Sequence, residues 1–292
     1  MTPLRTPPTE RDIKELLTFG VVNLDKPAGP TSHQVSTWVR GLTGVDRSGH
    51  AGTLDPEVTG CLPVLLGDAT RTATALTAGD KVYVAILELH DEPPEGWRVI
   101  IDRFTGEIYQ RPPRKSAVSR SLRTRTIHSI DVLERDGRRV LIEVSCEAGT
   151  YIRKLCHDIG LAIGTGGHMA SLRRIESQPF DDRSLVTLHD LADALAFWED
   201  DGDETALKAI IRPAEEAIAH LPSVTVAADA ATEIAHGAPV YAPGVLDIDE
   251  QIEAGELVAC VTPAGVAVCL GHYVGEPGQT HGVVVELERV LL

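Results

Sequence analysis

Apolar positions along the chain change their period several times, and each change predicts an element. Residues 1–18 read as an irregular arm followed by a short helix, and a strand is expected at Phe19–Leu24. It closes on the turn-forming run Lys26-Pro27-Ala28-Gly29-Pro30. Thr31 with Gln34 three residues on has capping-box spacing, and Val35, Trp38, Val39 and Leu42 form one helical apolar face that Gly44 ends. The Gly-, Thr- and Pro-rich stretch Ser48–Gly60 reads as loop. Leu62–Leu66 and Val82–Leu89 are apolar at both odd and even positions, as in strands covered on two faces.

The period then alternates. Val140, Ile142, Val144 and Cys146 are interleaved with Leu141, Glu143, Ser145 and Glu147, a half-buried strand pattern. After Gly149 the spacing turns helical through Ile152, Leu155, Cys156, Ile159 and Ile163, with Thr150 placed as its cap. A further helix follows Thr187, with Leu188, Leu191, Ala192 and Leu195 inward. Asp200-Asp201-Gly202-Asp203-Glu204 lacks the alternate-ligand spacing of a calcium loop and reads as a solvated turn. From Pro222 short strands dominate: Val224–Val226, Leu257–Val261, Val266–Leu270 and Val283–Leu287. The predicted fold class is α+β, with an arm over residues 1–18, a mixed-sheet body over residues 19–221 and a small β-rich unit over residues 222–292.

Length and composition fit two domains, since 292 residues exceed the roughly 100–200 of one domain and 43% hydrophobic content can fill their cores. No apolar run approaches the roughly 18–20 residues that span a bilayer, and the first twenty residues lack a signal-peptide core. A soluble, cytoplasmic protein is therefore expected. Five scattered cysteines without a C-x-x-C pair, and eleven dispersed histidines without H-E-x-x-H, give no basis for a disulfide framework or a metal site, and none is expected. The formal net charge of −16 by itself favours a protein that binds no nucleic acid. Its distribution qualifies that reading. Arg111, Arg114, Lys115, Arg120, Arg123 and Arg125 form an island free of acidic residues, whereas Pro213–Glu288 holds twelve acidic residues and neither Lys nor Arg. Only six of the 27 basic residues are Lys. An acidic, lysine-poor surface points to a host with high internal salt, where charge repulsion is screened within a few ångströms.

The richest stretch for chemistry is Gly49-His50-Ala51-Gly52-Thr53-Leu54-Asp55-Pro56. Read alone, Asp55 is a nucleophile, a general base or a turn-former, and Asp before Pro is common in turns. Its company changes the balance. Val22-Asn23-Leu24-Asp25-Lys26-Pro27-Ala28-Gly29 precedes it, and Thr59-Gly60-Cys61-Leu62-Pro63 follows. Lys81-Val82-Tyr83, Gly149-Thr150-Tyr151-Ile152-Arg153 and Leu172-Arg173-Arg174 come after in that order. This series resembles the TruB and dyskerin family of RNA pseudouridine synthases over nearly the whole chain. Arg111-Pro112-Pro113-Arg114-Lys115-Ser116-Ala117-Val118, the short Asp91–Trp97 connection and the absence of a Lys-rich tail are similar to the archaeal dyskerin branch. Together with the acidic surface they suggest a haloarchaeal member.

The resemblance implies a cofactor-free isomerisation of uridine to pseudouridine, in which a C1′–N1 bond breaks and a C1′–C5 bond forms. Asp55 would be the nucleophile, by attack at C1′ or C6 or by assisting a glycal route, and among these the sequence does not choose. Each route needs the carboxylate ionised, which a neighbouring cation favours, and Arg153 is the matching residue. Tyr83 would stack on the uracil and handle the C5 proton, and Leu172 would wall the base. His50 would contact the RNA, Lys26 would support the loop, and Arg111, Arg114 and Lys115 would meet the RNA backbone. The plainer readings are a core tyrosine, a core leucine, a surface helix arginine and a solvated basic face. Extrusion of the target nucleotide costs a few kcal/mol, which RNA contacts must offset.

Further implications concern partners. The branch works as the catalytic subunit of an H/ACA guide ribonucleoprotein on rRNA, with activity on tRNA uridine 55 as a second capacity. Its partners would be guide RNA and three proteins: a small zinc-ribbon type, a Gar-type β-barrel and a kink-turn-binding ribosomal type. The β-rich unit would be a PUA domain against which the N-terminal arm packs. Its lack of Lys and Arg departs from the basic surface such domains usually show, so RNA contacts there would use backbone N–H groups, polar side chains and apolar packing. A stand-alone tRNA enzyme, a non-catalytic RNA-binding scaffold and a hydrolase built on acidic residues and unrelated to RNA are the alternatives. Retention of Asp55, Tyr83 and Arg153 argues against the scaffold, and the hydrolase needs a second carboxylate such as Glu57 beside Asp55.

Overall fold

Two β-sheets organise the chain in a computed structural model that describes residues 4–111, 121–276 and 278–292. The first sheet is built from β1 (Phe19–Lys26), β2 (Ser48–His50), β3 (Thr59–Gly67), β4 (Lys81–Leu89), β5 (Gly106–Gln110), β6 (Arg123–Asp136), β7 (Arg139–Cys146), β8 (Gly167–Ser177), β9 (Phe180–Asp181) and β10 (Arg212–Pro213). Its order is β10-β1-β3-β8-β4-β7-β6-β5, with β2 on β3 and β9 on β8. The β3–β8 pair is parallel and the other pairs are antiparallel. The second sheet contains β11 (Ser223–Val226), β12 (Val240–Tyr241), β13 (Val245–Ile248), β14 (Leu257–Val261), β15 (Ala267–Tyr273) and β16 (Val283–Val290), in the order β12-β16-β15-β14-β11-β13. The helices are α1 (Ile13–Thr18), α2 (Ser32–Thr43), α3 (Ala73–Ala78), α4 (Trp97–Asp102), α5 (Ile152–Ile163), α6 (Leu188–Asp201), α7 (Thr205–Ile210) and α8 (Ala228–Ala235). Among the described residues no helix is long and apolar enough to cross a membrane.

Cover on both faces explains why Phe19–Val22 of β1 and Cys61–Leu66 of β3 are apolar at odd and even positions alike. Val22 and Leu24 of β1, with Leu62, Val64 and Leu66 of β3, enter a large core beneath α2, α5 and α6. Phe19 and Val21, with Cys61 and Leu65, point the other way into a second core. Ala259, Ala267 and Leu270 of the second sheet complete that second core, so the two sheets are joined by packing and not by a tether. Each fully buried Val, Leu or Phe among these contributes roughly 1.5–3 kcal/mol. The arm is divided. Leu4 packs on the core inside the second sheet and Arg5 donates to the Leu291 carbonyl, while Ile13 and Leu16 sink into the large core.

Several expectations need correction. Within α2 the capping box of Thr31 and Gln34 and the left-handed Gly44 end are present, but Trp38 and Leu42 are 47% and 41% exposed. The buried face is Ser32, Val35, Ser36 and Val39, because the two serines pack against the segment Ser48–Leu54. That segment is not all loop, since Ser48–His50 pairs with Val64–Leu66. β4 is covered on one face only: Ala85, Leu87 and Leu89 are buried, while Val82, Val84 and Ile86 are half-buried. Thr150 does not cap α5, because its hydroxyl donates to the Glu147 carbonyl and closes the preceding turn.

Candidate active site

Asp55 lies on the connection between β2 and β3, which two buried side chains, a turn hydrogen bond and a glycine hold in place. Ser32, the first residue of α2, accepts the Leu54 N–H at 2.9 Å and lies 3.1 Å from its carbonyl, to which it donates. Lys26, at the end of β1, is fully buried, and its Nζ donates to the carbonyls of Pro27, Pro56 and Val58 at 2.8–2.9 Å. Burial pushes the Lys26 ammonium below its ordinary value, while the carboxylates of Glu57 and Asp55 push back. The Asp55 carbonyl accepts the Val58 N–H, which makes the loop a closed turn around Pro56. Gly60, at φ +98°, then brings the chain against β8, where a Cβ would fall 2.1 Å from the Arg174 carbonyl.

Arg153 reaches the carboxylate from α5, its Nη2 2.6 Å from Asp55 Oδ2. Both side chains remain more than half exposed, 56% and 57%, so the pair is open to a substrate. In such a setting the bond orients the carboxylate more than it stabilises the fold. Arg153 holds its place because the start of α5 is tied down by a residue distant in sequence. Gln110 accepts the Tyr151 N–H at 2.9 Å and donates to the Tyr151 carbonyl at 3.2 Å. The side chain of Gln110 thus does the capping that Thr150 does not.

Tyr83 lies on β4, half-buried against the large core. Burial pushes its hydroxyl above the ordinary value, and the Arg174 guanidinium beside it pulls the other way. Leu172 sits across from Ala85 and is buried in the same core. His50, on β2, is half-buried, and burial with the nearby charges of His33 and Arg174 lowers its basicity. Its Nε2 lies 3.4 Å from the Thr53 hydroxyl. Arg111 is exposed at the end of β5, whereas Arg114 and Lys115 fall outside the described residues. Arg125, from the same basic island, is turned inward to Glu147 at 3.4 Å and packs on Gly149.

The structure thus pairs Asp55 with Arg153, sets Lys26 beneath the same loop through its carbonyls, and links Tyr83 to that loop through Arg174. Sequence reasoning missed Ser32, Gln110 and the supporting arginines. Arg173 forms a bidentate pair with Asp25 at 2.9 and 3.0 Å, which fastens β8 to the end of β1. The adjacency of Arg173 and Arg174 to Leu172 was the one available signal. Chemically, the site offers an exposed carboxylate with a fixed cation, a neighbouring phenol and a loop held by buried polar groups. That set suits covalent or electrostatic work on a base presented from outside.

Comparison with known proteins gives the family of the chain. The TruB family pseudouridylate synthase N-terminal domain matches residues 40–96 and 94–152, and the tRNA pseudouridylate synthase B C-terminal domain matches 153–219. A DKCLD domain matches 2–36 and a PUA domain matches 222–276. The probable tRNA pseudouridine synthase B of Halobacterium salinarum is 60% identical, covering 99% of both chains. That of Haloarcula marismortui is 58% identical over 99% of this chain and 94% of its own. Among solved structures, a Cbf5–Nop10–Gar1 complex aligns over 100% of this chain and 91% of the other, with a TM-score of 0.95 and 45% identity. An H/ACA RNP bound to a substrate RNA containing 2′-deoxyuridine aligns over 100% and 91%, with a TM-score of 0.92 and 43% identity.

Likeness of this extent defines the class as RNA pseudouridine synthases, isomerases of uridine within RNA. The chain belongs to the TruB family of pseudouridine synthases and carries a PUA domain.

Proposed function

We propose that this synthase is the catalytic subunit of an archaeal H/ACA guide ribonucleoprotein, with Asp55, Tyr83 and Arg153 as its catalytic residues. The observation that carries the assembly is the likeness over the entire chain, arm and PUA domain included, to catalytic subunits solved within H/ACA complexes. By that likeness the partners are Nop10- and Gar1-type proteins, a guide RNA and rRNA, with a kink-turn-binding ribosomal-type protein as the remaining member. The compartment is the cytoplasm. Names of the haloarchaeal relatives favour a second reading, modification of tRNA uridine 55.

In the proposed reaction an extruded uridine enters beside the exposed Asp55–Arg153 pair. The carboxylate stabilises or captures C1′ as the C1′–N1 bond breaks, and Arg153 keeps it aimed. After the base turns, C5 bonds to C1′, displacing the carboxylate wherever it had bonded there, and the C5 proton passes to the Tyr83 phenolate. The C–H electron pair then restores the C5–C6 double bond as N1 takes up a proton. His50, Lys26, Leu172, Arg111, Arg114 and Lys115 serve binding or support, and no cofactor is required for an isomerisation.

Asp55→Asn tests the site. Pseudouridine formation on a guide-programmed rRNA fragment and on a tRNA transcript should fall by about 10³-fold or more, with RNA affinity changed by less than about threefold. Near-normal turnover by Asp55→Asn would remove Asp55 from the mechanism. Activity of the wild type on the tRNA alone, with none when guide and partners are supplied, would favour the stand-alone reading.

A further inference from the structure

We propose that Arg174 is a positioning residue for the isomerisation, its guanidinium fixing the Tyr83 hydroxyl and the Gly52 turn while holding Nη2 in reserve for a phenolate oxygen. The inference rests on Tyr83 acting as proposed above.

Arg174 is 1% exposed, among the largest side chains fully enclosed in the molecule. Its Nε donates to the Cys61 carbonyl at 2.7 Å, and among the described residues the guanidinium forms no ion pair. Nη2 is buried with no hydrogen-bond partner. A cation enclosed this way is costly unless paired, and an orphaned buried donor calls for an explanation. Two contacts supply one. β8 sets Arg174 directly opposite Tyr83 of β4, and the guanidinium acts on the Tyr83 hydroxyl. Its Nη1 lies 2.8 Å from where a Cβ on Gly52 would fall, and Gly52 has φ +68°, so the Asp55 loop closes on Arg174 only because that residue is glycine. A neutral phenol is a modest acceptor, whereas a phenolate accepts charge-assisted bonds. The orphaned N–H is therefore satisfied in the state of Tyr83 that can take the C5 proton.

The other groups facing Tyr83 are few. Cys61 on β3 and Cys146 on β7 are pushed up to about 12 by burial, so both stay neutral thiols through the working range. Lys81, two residues before Tyr83, is drawn down to about 8, chiefly by burial, and is the one competing titration on β4. His50 senses Arg174 from the other side, across the Asp55 loop.

The test is single-turnover pseudouridine formation from about pH 6 to 9.5, using the RNA that the preceding experiment shows to be modified. The wild-type rate should rise with pH, and Tyr83→Phe should flatten that rise. Arg174→Met should slow the step about tenfold at pH 7 and move the rise alkaline by about one unit, with RNA affinity unchanged. In the Tyr83→Phe background Arg174→Met should add no further loss. Arg174→Lys, which keeps the charge but lacks the forked second nitrogen, should shift the profile the same way by less. Circular dichroism establishes that each variant folds; if Arg174→Met does not, the lysine variant and the wild-type against Tyr83→Phe comparison decide. An unmoved profile in the folded Arg174 variants overturns the proposal, as does a wild-type pH dependence that survives Tyr83→Phe, which would make Lys81 the titrating group. An active Asp55→Asn would instead remove the reading of the site on which this inference stands.

Discussion

Lys26 illustrates how a charged side chain serves a reaction without touching it. Its ammonium is enclosed by three loop carbonyls, and all three would lose that donor if it were removed, although Pro56 would keep the Gly29 N–H at 2.9 Å. An unsatisfied buried carbonyl costs about 1–3 kcal/mol, so relaxation of the loop is cheaper than bearing these losses together. Lys26→Met should therefore lower stability by about 2–4 kcal/mol in urea unfolding and cut the single-turnover rate by about 10²-fold, since misplacement of a catalytic group by an ångström is that damaging. A variant with wild-type rate and normal stability would show that the loop holds itself. The motif Lys26-Pro27 made this lysine visible in the sequence, as did the Gly-rich run around Asp55. The carbonyls it holds were not legible, because they come from a turn whose closure no local pattern specifies.

At the scale of elements, what was legible divides by the distance over which the determining contacts act. The box of Thr31 and Gln34 spans three residues, and its prediction for α2 agrees with the structure. The start of α5 obeys no local signal. Thr150 has the right chemistry and position, but its hydroxyl bonds to Glu147, and the helix is anchored by Gln110 from β5. The exposed Trp38 and Leu42 make the same point for a helix face, since Ser32 and Ser36 are drawn inward by partners 12 and 22 residues away. Arg153 inherits its aim from the Gln110 bonds. Gln110→Ala should reduce stability by about 1–2 kcal/mol and slow pseudouridine formation about tenfold without weakening RNA binding. Thr150→Ala should affect the rate less than Gln110→Ala does, and the reverse order would mean that the cap is local after all.

Over the whole molecule, net negative charge is concentrated where the smaller sheet is, because Pro213–Glu288 has acidic residues but neither Lys nor Arg. Its residues contribute to a core shared with β1 and β3, so repulsion within that region strains a joint as well as a surface. The Debye length shortens from roughly 10 Å at 0.1 M salt to about 3 Å at 1 M, which removes most of that repulsion. Lowering KCl from molar to about 0.1 M should therefore reduce the thermal midpoint and the circular dichroism of the isolated protein. Full structure in dilute buffer would contradict this account of its charge. The α+β class and the β-rich tail were readable from periodicity and Gly–Pro punctuation. That the two sheets share one core was not, because the odd and even positions of β1 and β3 look alike in sequence and differ only in what covers them.

The parallel pairing of β3 with β8 also orders events in time. Asp55 leaves the ribosome early, yet the guanidinium that aims it and the strand against which Gly60 closes arrive with residues 153 and 174. Contacts so distant in the chain form late and slowly. A growing polypeptide therefore displays its reactive carboxylate long before it can use it, and turnover marks the moment when the eighth strand has docked.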